Sequence, residues 1–523
     1  VTFLPWQNSN PAIHADYHFS TLHRRFRELL ESANTDQHTS GLSFQDCELR
    51  CYYPGMPCLL SKGLVQSPVR DIPVLTDTDV LVIGGSPTGV AAAIGAAREG
   101  ARVMLLERFG FLGGQMTAGL MLTIHRPFWD AHGRRIVGGV PLELIREVIR
   151  LGGTRDCFQH LEQDDDHFWG DAWTATALDP EVNKLALQKL VTDENIQLLL
   201  DCWVSDVVMS GNRATGAVID TRQGDRAILA SMLIDATGDA HVAALAGAGF
   251  MQRYPDQFAP NLVGRIDGFD PQTFADYVEQ NYDNISPHPA GLGKAAFLER
   301  IRTNGVFGVI GFRELVQQAQ QHELLDREQV RLGFLHTGDG HCMLWRNNLA
   351  RVDCLDAIEL STAYVTGRTR LWQAVRFYRE YVPGMHNIRM LETATAMGIR
   401  ETRRIIGEYI LNEDDVKQSK HFPDVICRSA GHDSHNDIRD GVVNVPLRSL
   451  IPKDLQGMLV AGRAISCTAP VALDSIRGVV PCMSSGQAAG ITAAMSVQNH
   501  CQPLQLVIPD LQEKIRQQQV YFD

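Results

Sequence analysis

The first strongly patterned stretch begins at position 78. Residues 78–83 form an apolar run of strand length, residues 84–89 carry three glycines and a proline, residues 88–99 are alanine-rich, and residues 102–106 form a second apolar run. Short apolar runs bounded by turn residues read as buried strands, and strand, turn, helix and strand within about thirty residues make a βαβ unit. Further strands are predicted at 196–200, 204–209, 215–220, 227–233 and 458–460. Helices are predicted at 271–280, 355–381 and, rich in small residues, 485–498. Residues 512–519 are polar and read as a surface helix or a frayed end. Ahead of all this, residues 1–76 stand apart. Phe19, Leu22, Phe26, Leu29 and Leu30 recur there at helical spacing among Arg24, Arg25 and Arg27, and the rest reads as irregular cover. No internal repeat is found.

Composition narrows the class. The chain has 523 residues, 44% hydrophobic and 21% charged, which fits a globular enzyme of several domains. Its net charge of −13 argues against nucleic acid as the main partner. No run reaches the roughly 20 apolar residues of a membrane span. The eleven cysteines are an odd number, so reduced thiols are expected rather than a disulfide framework. Cys47, Cys51 and Cys58 lie close together but lack the fourth ligand and tight pairing of a metal site, so no metal is expected. No signal-peptide pattern is seen, and a cytoplasmic protein is expected.

The βαβ unit has the composition of a dinucleotide fingerprint. Gly84 opens the turn, Gly85 follows, and Gly89 lets the helix pack on the strand; Ser86 stands where a middle glycine is usual. Serine is small, and its hydroxyl is expected to face a phosphate, with Thr88 and the helix N-terminus beside it. Glu107 ends the second strand, where a carboxylate accepts hydrogen bonds from ribose hydroxyls, and Arg108 follows. The fingerprint alone leaves NAD and FAD open. A second glycine pair, Gly113–Gly114, then Gln115 and Thr117, gives room for a bulkier ligand. Two more strands end in small-residue turns, at Asp235-Ala-Thr237-Gly238-Asp239 and at Ala461-Gly462-Arg463. A helix starting near Ser484, with Gly486, Gln487 and Ala488 in its first turn, is expected to aim its positive end at an electron-rich ring.

From about residue 77 to about residue 495 the sequence resembles the FAD-dependent oxidoreductase family with the glutathione reductase-type FAD-binding fold. The resemblance rests on Leu178-Asp-Pro-Glu181, Ala236-Thr-Gly-Asp239, the stretch from Gly398 through Arg400, Glu401, Arg403 and Arg404 to Gly407, Asp433-Ser-His435, Val445 to Pro452, and Ala461-Gly-Arg463 followed by Gly486 to Gly490. Ser86 and residues 467–474 depart from the family pattern. The resemblance implies an α/β fold: a Rossmann-like three-layer FAD-binding domain, residues 77–250 and 390–500, with an inserted substrate or cap domain, residues 251–389. An N-terminal extension (1–76) and a C-terminal tail (501–523) complete the organisation. It also implies FAD as cofactor, held by the glycine turns, Glu107, Asp239 and the backbone near Val204, which would meet the adenine or simply be a buried strand residue.

A flavin carries the redox chemistry, so the protein has to orient substrate and move protons. His125, shortly past the second glycine pair, and His435, ahead of the Gly462 turn, are candidate bases. Arg400 and Arg477 are candidate clamps for a substrate carboxylate or for charge on the reduced ring. Arg400 and Arg404 would share a face if their stretch were helical, and a basic surface paired with Glu401 and Glu408 is the plainer reading. Phe128, Trp129, Phe168, Trp169 and Trp173 would wall a pocket or fill the core. The Trp-x-Trp-x-Ile-Pro segment of flavin halogenases is missing, and Gly305, Gly308 and Gly311 do not form a second fingerprint. The expected reaction is hydride transfer between a small polar organic substrate and flavin N5, with an undeclared electron acceptor and a possible homo-oligomer. A monooxygenase-like enzyme and a flavin-binding sensor or scaffold without turnover are the alternatives.

Overall fold

The computed structural model describes residues 70–124, 128, 135–154, 176–251, 259–288, 293–327, 329–330, 332–345, 347–429 and 442–522. His125, His435, Trp129, Phe168, Trp169, Trp173 and the three N-terminal cysteines lie outside these residues, as does the amphipathic stretch 18–31.

The βαβ unit forms as its pattern predicts: β1 (Val74–Ile83), α1 (Pro87–Arg98) and β2 (Val103–Leu106). After α2 (Val140–Arg150) and α3 (Pro180–Asp193) come β3 (Gln197–Leu199), β4 (Trp203–Ser210), β5 (Arg213–Asp220) and β6 (Arg226–Asp235). The seven-stranded sheet runs β3-β2-β1-β6-β5-β4, with β13 (Met458–Val460) also on β6. β6 is long enough to serve two partners on one edge. Its first half pairs antiparallel with β5, and its end pairs parallel with β13.

Both faces of this sheet are buried, and period-two alternation divides its side chains between two cores. Val80, Val82, Leu105, Ile234 and Leu459 point to a layer built from α1, α2, α3 and α7 (Val479–Gln498). Leu81, Ile83, Leu106, Leu233 and Val460 point to the opposite layer, formed by the β4–β5 ribbon and the short helix His241–Leu245. The expected three layers are therefore present. The C-terminal stretch is not a loose tail. Helix α8 (Ile508–Gln517) buries Leu511 and Ile515, and Val520 and Phe522 join the helical-side core.

A second, antiparallel sheet has six strands in the order β8-β9-β10-β11-β7-β12. They are β7 (Gly264–Asp267), β8 (Ile285–His288), β9 (Phe307–Gly311), β10 (Leu332–Gly338), β11 (His341–Leu344) and β12 (Arg389–Thr393). Helices α4 (Pro271–Asn281), α5 (Lys294–Arg302) and α6 (Ala357–Tyr381) accompany it. Its core is aromatic: the Phe274 and Phe334 rings meet edge-on at 5.4 Å, and those of Phe297 and Phe307 at 5.5 Å. Such pairs contribute about 0.5–1.5 kcal/mol each beyond area burial. Asn347 ties α6 to the segment just ahead of β7, its amide donating to the carbonyls of Leu262 and Gly367. The expected border at 389/390 falls inside β12, and Leu120 and Leu122 pack in this second core although they lie in the first part of the chain.

Candidate FAD site

Register places the site. Ile83 is level with Leu106 and with Asp235, and Asp235 is level with Val460. The turns after these strands, at Gly84, Glu107, Ala236 and Ala461, therefore open along one edge of the sheet, the carboxyl edge at which open α/β sheets bind ligands.

Gly84 takes φ +102°, a conformation costly for any side chain, and its N–H donates to the Leu106 carbonyl at 2.9 Å. A Cβ on Gly89 would lie 1.8 Å from the Gly84 carbonyl oxygen, so only glycine fits there. Ser86 is the N-cap of α1 rather than a phosphate ligand. Its hydroxyl donates to the Ala236 carbonyl at 3.1 Å and accepts from the Gly89 N–H at 3.4 Å. That corrects the expected role: the uncapped surface left for a phosphate is backbone and helix dipole, not the serine hydroxyl. Pro87 at N1 costs α1 nothing, since the first N–H groups have no helical partner.

Glu107 is buried, with one carboxylate oxygen accepting from Gly85 N–H at 2.7 Å and the other from Phe109 N–H at 2.9 Å. Burial pushes its carboxyl above the ordinary range, opposed by these amides and by Arg108. Each oxygen keeps a further lone pair for a hydroxyl donor. Arg108 lies over Phe109 at 4.8 Å and Trp203 at 5.6 Å. Val204 is buried and its carbonyl accepts from His241 Nε2 at 2.9 Å.

The second glycine turn docks on the first: Gly113 N–H donates to the Gly85 carbonyl at 2.8 Å, and a Cβ on Gly114 would meet Ser86 Cβ at 3.1 Å. Thr117 spends its hydroxyl on the Leu112 carbonyl, and Gln115 donates to the Met397 carbonyl. Both hold the turn in place.

The turn at residues 236–239 is organised by Asp235, which from sequence alone is only the residue that ends its strand. Asp235 is fully buried; one oxygen accepts from the Thr237 amide and hydroxyl, the other from the Val242 and Ala243 amides. A carboxylate at a strand end two residues ahead of a Thr-Gly pair is the signal that was available. Arg463 then clamps this turn, donating through Nε to the Gly238 carbonyl at 2.6 Å and through its two terminal nitrogens to Ile399 O and Asp239. Asp239 also accepts from the Thr402 hydroxyl at 2.6 Å.

Arg400, Arg403 and Arg404 are not on a helix. Arg404 and Ile405 form a two-residue strand, and the segment after β12 is hydrogen-bonded to loops flanking the two sheets: Ala396 to Ala118, Gly398 to Asn261, Arg404 to the Cys467 carbonyl. Arg404 and Glu401 form a buried ion pair at 2.8 Å. Arg400 donates to the Ala259 carbonyl and lies 3.4 Å from Asn348 Oδ1. Arg403 lies over the Phe250 ring.

The flavin-side helix begins earlier than expected, at Val479. Gly486, Gln487 and Ala488 sit about two turns inside it, buried, and serve packing: Gln487 accepts from Val140 N–H, and Gly486 lies against α1. The open N-terminus belongs instead to Gly478 and Val479, which have neither a side-chain cap nor an acidic residue in the first turn. Arg477 stands just before it, its Nε on the Leu473 carbonyl, at the end of a π-helical turn, Ala472–Ile476. Gly462 approaches from the other side, with φ +79° and a virtual Cβ 3.0 Å from Thr88 Oγ1. Cys482, in the first turn of α7, is held as a thiol: burial pushes it up to about 12, against Arg463 and Arg477. That rules it out as a thiolate nucleophile near neutral pH.

A cavity of about 650 Å³ opens beside Arg108, Phe109, Cys202 and Trp203 and reaches Tyr364 and Arg368 of α6. Among the described residues no group of acidic, histidine and cysteine side chains is placed to hold a metal, and no helix is long and apolar enough to cross a membrane.

A glycine turn under a helix N-terminus, a buried carboxylate at the end of the next strand and a second uncapped helix along one sheet edge define a dinucleotide-binding oxidoreductase. The donor set fits FAD: backbone amides for a pyrophosphate, Glu107 for ribose hydroxyls, and the α7 N-terminus for the ring. The model of the FAD dependent oxidoreductase family matches residues 79–515, and the chain belongs to that family. Among solved structures the chain is similar to a geranylgeranyl bacteriochlorophyll reductase-like protein from Thermoplasma acidophilum, with 12% identity over 84% of this chain and 83% of that one and a TM-score of 0.39. It is also similar to a myxobacterial chondrochloren halogenase (14% identity, 85% and 79% covered, TM-score 0.40) and to p-nitrophenol 4-monooxygenase from Pseudomonas putida (12%, 84% and 84%, TM-score 0.37). No curated protein matches.

Proposed function

We propose that this FAD-dependent oxidoreductase is a dehydrogenase or oxidase acting on a small polar organic substrate. The observation that carries the reading is the uncapped N-terminus of the 20-residue helix α7 with Arg477 beside it. A helix of that length presents about half a positive charge at its N-terminus, which favours the negative charge of a reduced electron-rich ring. FAD, when bound, supplies the hydride-accepting chemistry.

The chain's own residues have the remaining work. Arg400 sits in the segment after β12, and two of its acceptors, a backbone carbonyl and an amide oxygen, are neutral ones that a substrate carboxylate would replace. As the substrate's C–H bond gives up its hydride, an O–H or N–H proton has to leave, and a histidine suits that task near neutral pH. His435 and His125 are the candidates, by sequence position alone. Asp239, Thr402 and Arg463 fix the turn beside this segment and so hold Arg400 in register.

The test is anaerobic mixing of the flavin-loaded protein with alcohols, amines and hydroxy acids. Bleaching of the flavin by one class supports the reading. Bleaching only by reduced nicotinamide, with an aromatic effector, would replace it with a hydroxylase. Once a substrate is found, Arg400→Ala is expected to raise KM, and Arg400→Lys to recover it only in part, because lysine lacks the bidentate fork.

A further inference from the structure

We propose that helix α6 of the second sheet closes over the adenosine end of FAD, with Tyr364 and Arg368 as specificity-determining contacts. The inference rests on the family's cofactor being FAD and goes beyond the fingerprint turn, since both residues lie more than 250 positions from it.

Four observations converge. First, the cavity of about 650 Å³ has one wall from the edge of the dinucleotide-binding sheet, Arg108, Asp201, Trp203 and Asp220, and one from α6, Tyr364 and Arg368. Second, the first wall immediately follows Glu107, whose buried carboxylate faces the fingerprint turn through Gly85 N–H. The adenosine end of a dinucleotide seated on that turn is the part nearest this cavity. Third, Leu360, Tyr364 and Arg368 recur every four residues, so one stripe of the helix faces the opening. The Tyr364 hydroxyl accepts from Met397 N–H at 2.7 Å, which fixes its ring, and the Arg368 guanidinium rests over that ring at 5.5 Å.

The fourth observation is charge. Neighbouring arginines are paired with carboxylates: Arg222 with Asp201, Arg370 with Asp326, Arg376 with Glu380. Arg108 and Arg368 have aromatic rings as partners and, among the described residues, no ion-paired carboxylate. A guanidinium stacked on an aromatic ring leaves its edge donors for a ligand, and with Asp201 and Asp220 in the same lining the mixed charge suits a flat heterocycle that both donates and accepts hydrogen bonds. A pocket meant only for packing would be lined by apolar side chains instead.

The experiment titrates apoprotein with FAD, read by flavin fluorescence, and with ADP, read by competition against FAD. The variants are Arg368→Ala and Arg368→Glu, with Arg376→Glu, an exposed arginine further along α6, as the control. ADP is expected to compete in the wild type. Arg368→Ala is expected to weaken FAD and ADP by about three- to tenfold alike, as the loss of one cationic stacking or hydrogen-bonding contact does. Arg368→Glu is expected to weaken both further, and Arg376→Glu to change neither. Unchanged FAD and ADP binding in both Arg368 variants overturns the proposal, and so does an equal loss in Arg376→Glu, which would reduce it to a general charge effect. Failure of ADP to compete overturns it while leaving FAD binding intact. Failure of the wild type to bind FAD removes the cofactor assignment itself, and the proposal with it.

Discussion

Replacing Gly490 with alanine adds one methyl group where two helix backbones touch. A Cβ there would lie 2.0 Å from the Ala92 carbonyl oxygen and 2.9 Å from Ala96 N. Both are backbone atoms of α1, so neither can rotate aside. Gly486 repeats the contact one turn earlier, its virtual Cβ 2.2 Å from the Thr88 carbonyl oxygen, and Gly95 answers from α1 against Gln487. To accept the methyl, the helices have to part by roughly 1 Å, which forfeits a quarter to a half of the dispersion energy between the atoms that separate. Overpacking of a rigid site costs about 1–3 kcal/mol, and the better helix propensity of alanine returns up to about 1 kcal/mol. The expected net loss is therefore about 1–2 kcal/mol. Function is affected too, because α1 carries Thr88 and Gly89 of the fingerprint turn, and its displacement is expected to weaken FAD retention. Urea unfolding of the apoprotein and FAD titration measure the two effects. Gly110→Ala is the control, since a Cβ there meets nothing within 4 Å. A Gly490→Ala protein as stable as the wild type, with undiminished FAD affinity, would refute the close helix contact.

Glu107→Gln is expected to weaken FAD binding roughly tenfold to a hundredfold, the worth of a charge-assisted hydrogen bond. The wild type carries a pH signature with two opposite signs: the ionised carboxylate is the stronger acceptor for a hydroxyl, so FAD affinity falls as pH drops through the raised pKa of Glu107. The apoprotein's stability contribution from this group is instead fully present below the ordinary glutamate value and lost as pH rises through the raised one; pH-resolved titrations and unfolding curves check both. Arg463→Ala removes the donor to Gly238 O and Ile399 O and the cation beside Asp239, and is expected to cost about 3 kcal/mol, with loss of FAD, in thermal unfolding and cofactor-release assays. Ser86→Gly is expected to retain FAD at a stability cost of a few tenths of a kcal/mol, as a cap replaced by glycine does. Ser86→Leu is expected to abolish retention by colliding with Gly114, and normal FAD binding by that variant would show the turn to be wrongly assigned.

The strands and the first βαβ unit were legible because each depends on local pattern: Val80 to Ile83 could only be a buried strand, and Gly84 and Gly89 only a tight turn under a helix. The C-terminal strand, Met458–Val460, was legible for the same reason. What escaped depends on partners distant in sequence. Ser86 was read as a phosphate contact because the carbonyl it binds, Ala236, lies 150 positions away. The start of α7 was placed too late because Pro481 and β-branched Val479 and Val480 resemble a helix boundary, whereas proline is at ease in a first turn. The stretch from Arg400 to Arg404 has helical spacing, but Arg404 is drawn instead to Glu401 and the Cys467 carbonyl, and no helix forms there. Tyr364 and Arg368 had no signal at all: on an amphipathic helix they read as ordinary surface.

One dinucleotide per chain is expected, seated from Glu107 across the Gly84 turn toward the Gly462 turn and α7. Denaturing the purified, FAD-reconstituted protein and identifying and counting what it releases tests this most directly. One FAD per chain from the wild type, and a reduced ratio from Glu107→Gln, is the predicted result. Release of FMN or NAD, or of no nucleotide from the wild type after reconstitution, would contradict it.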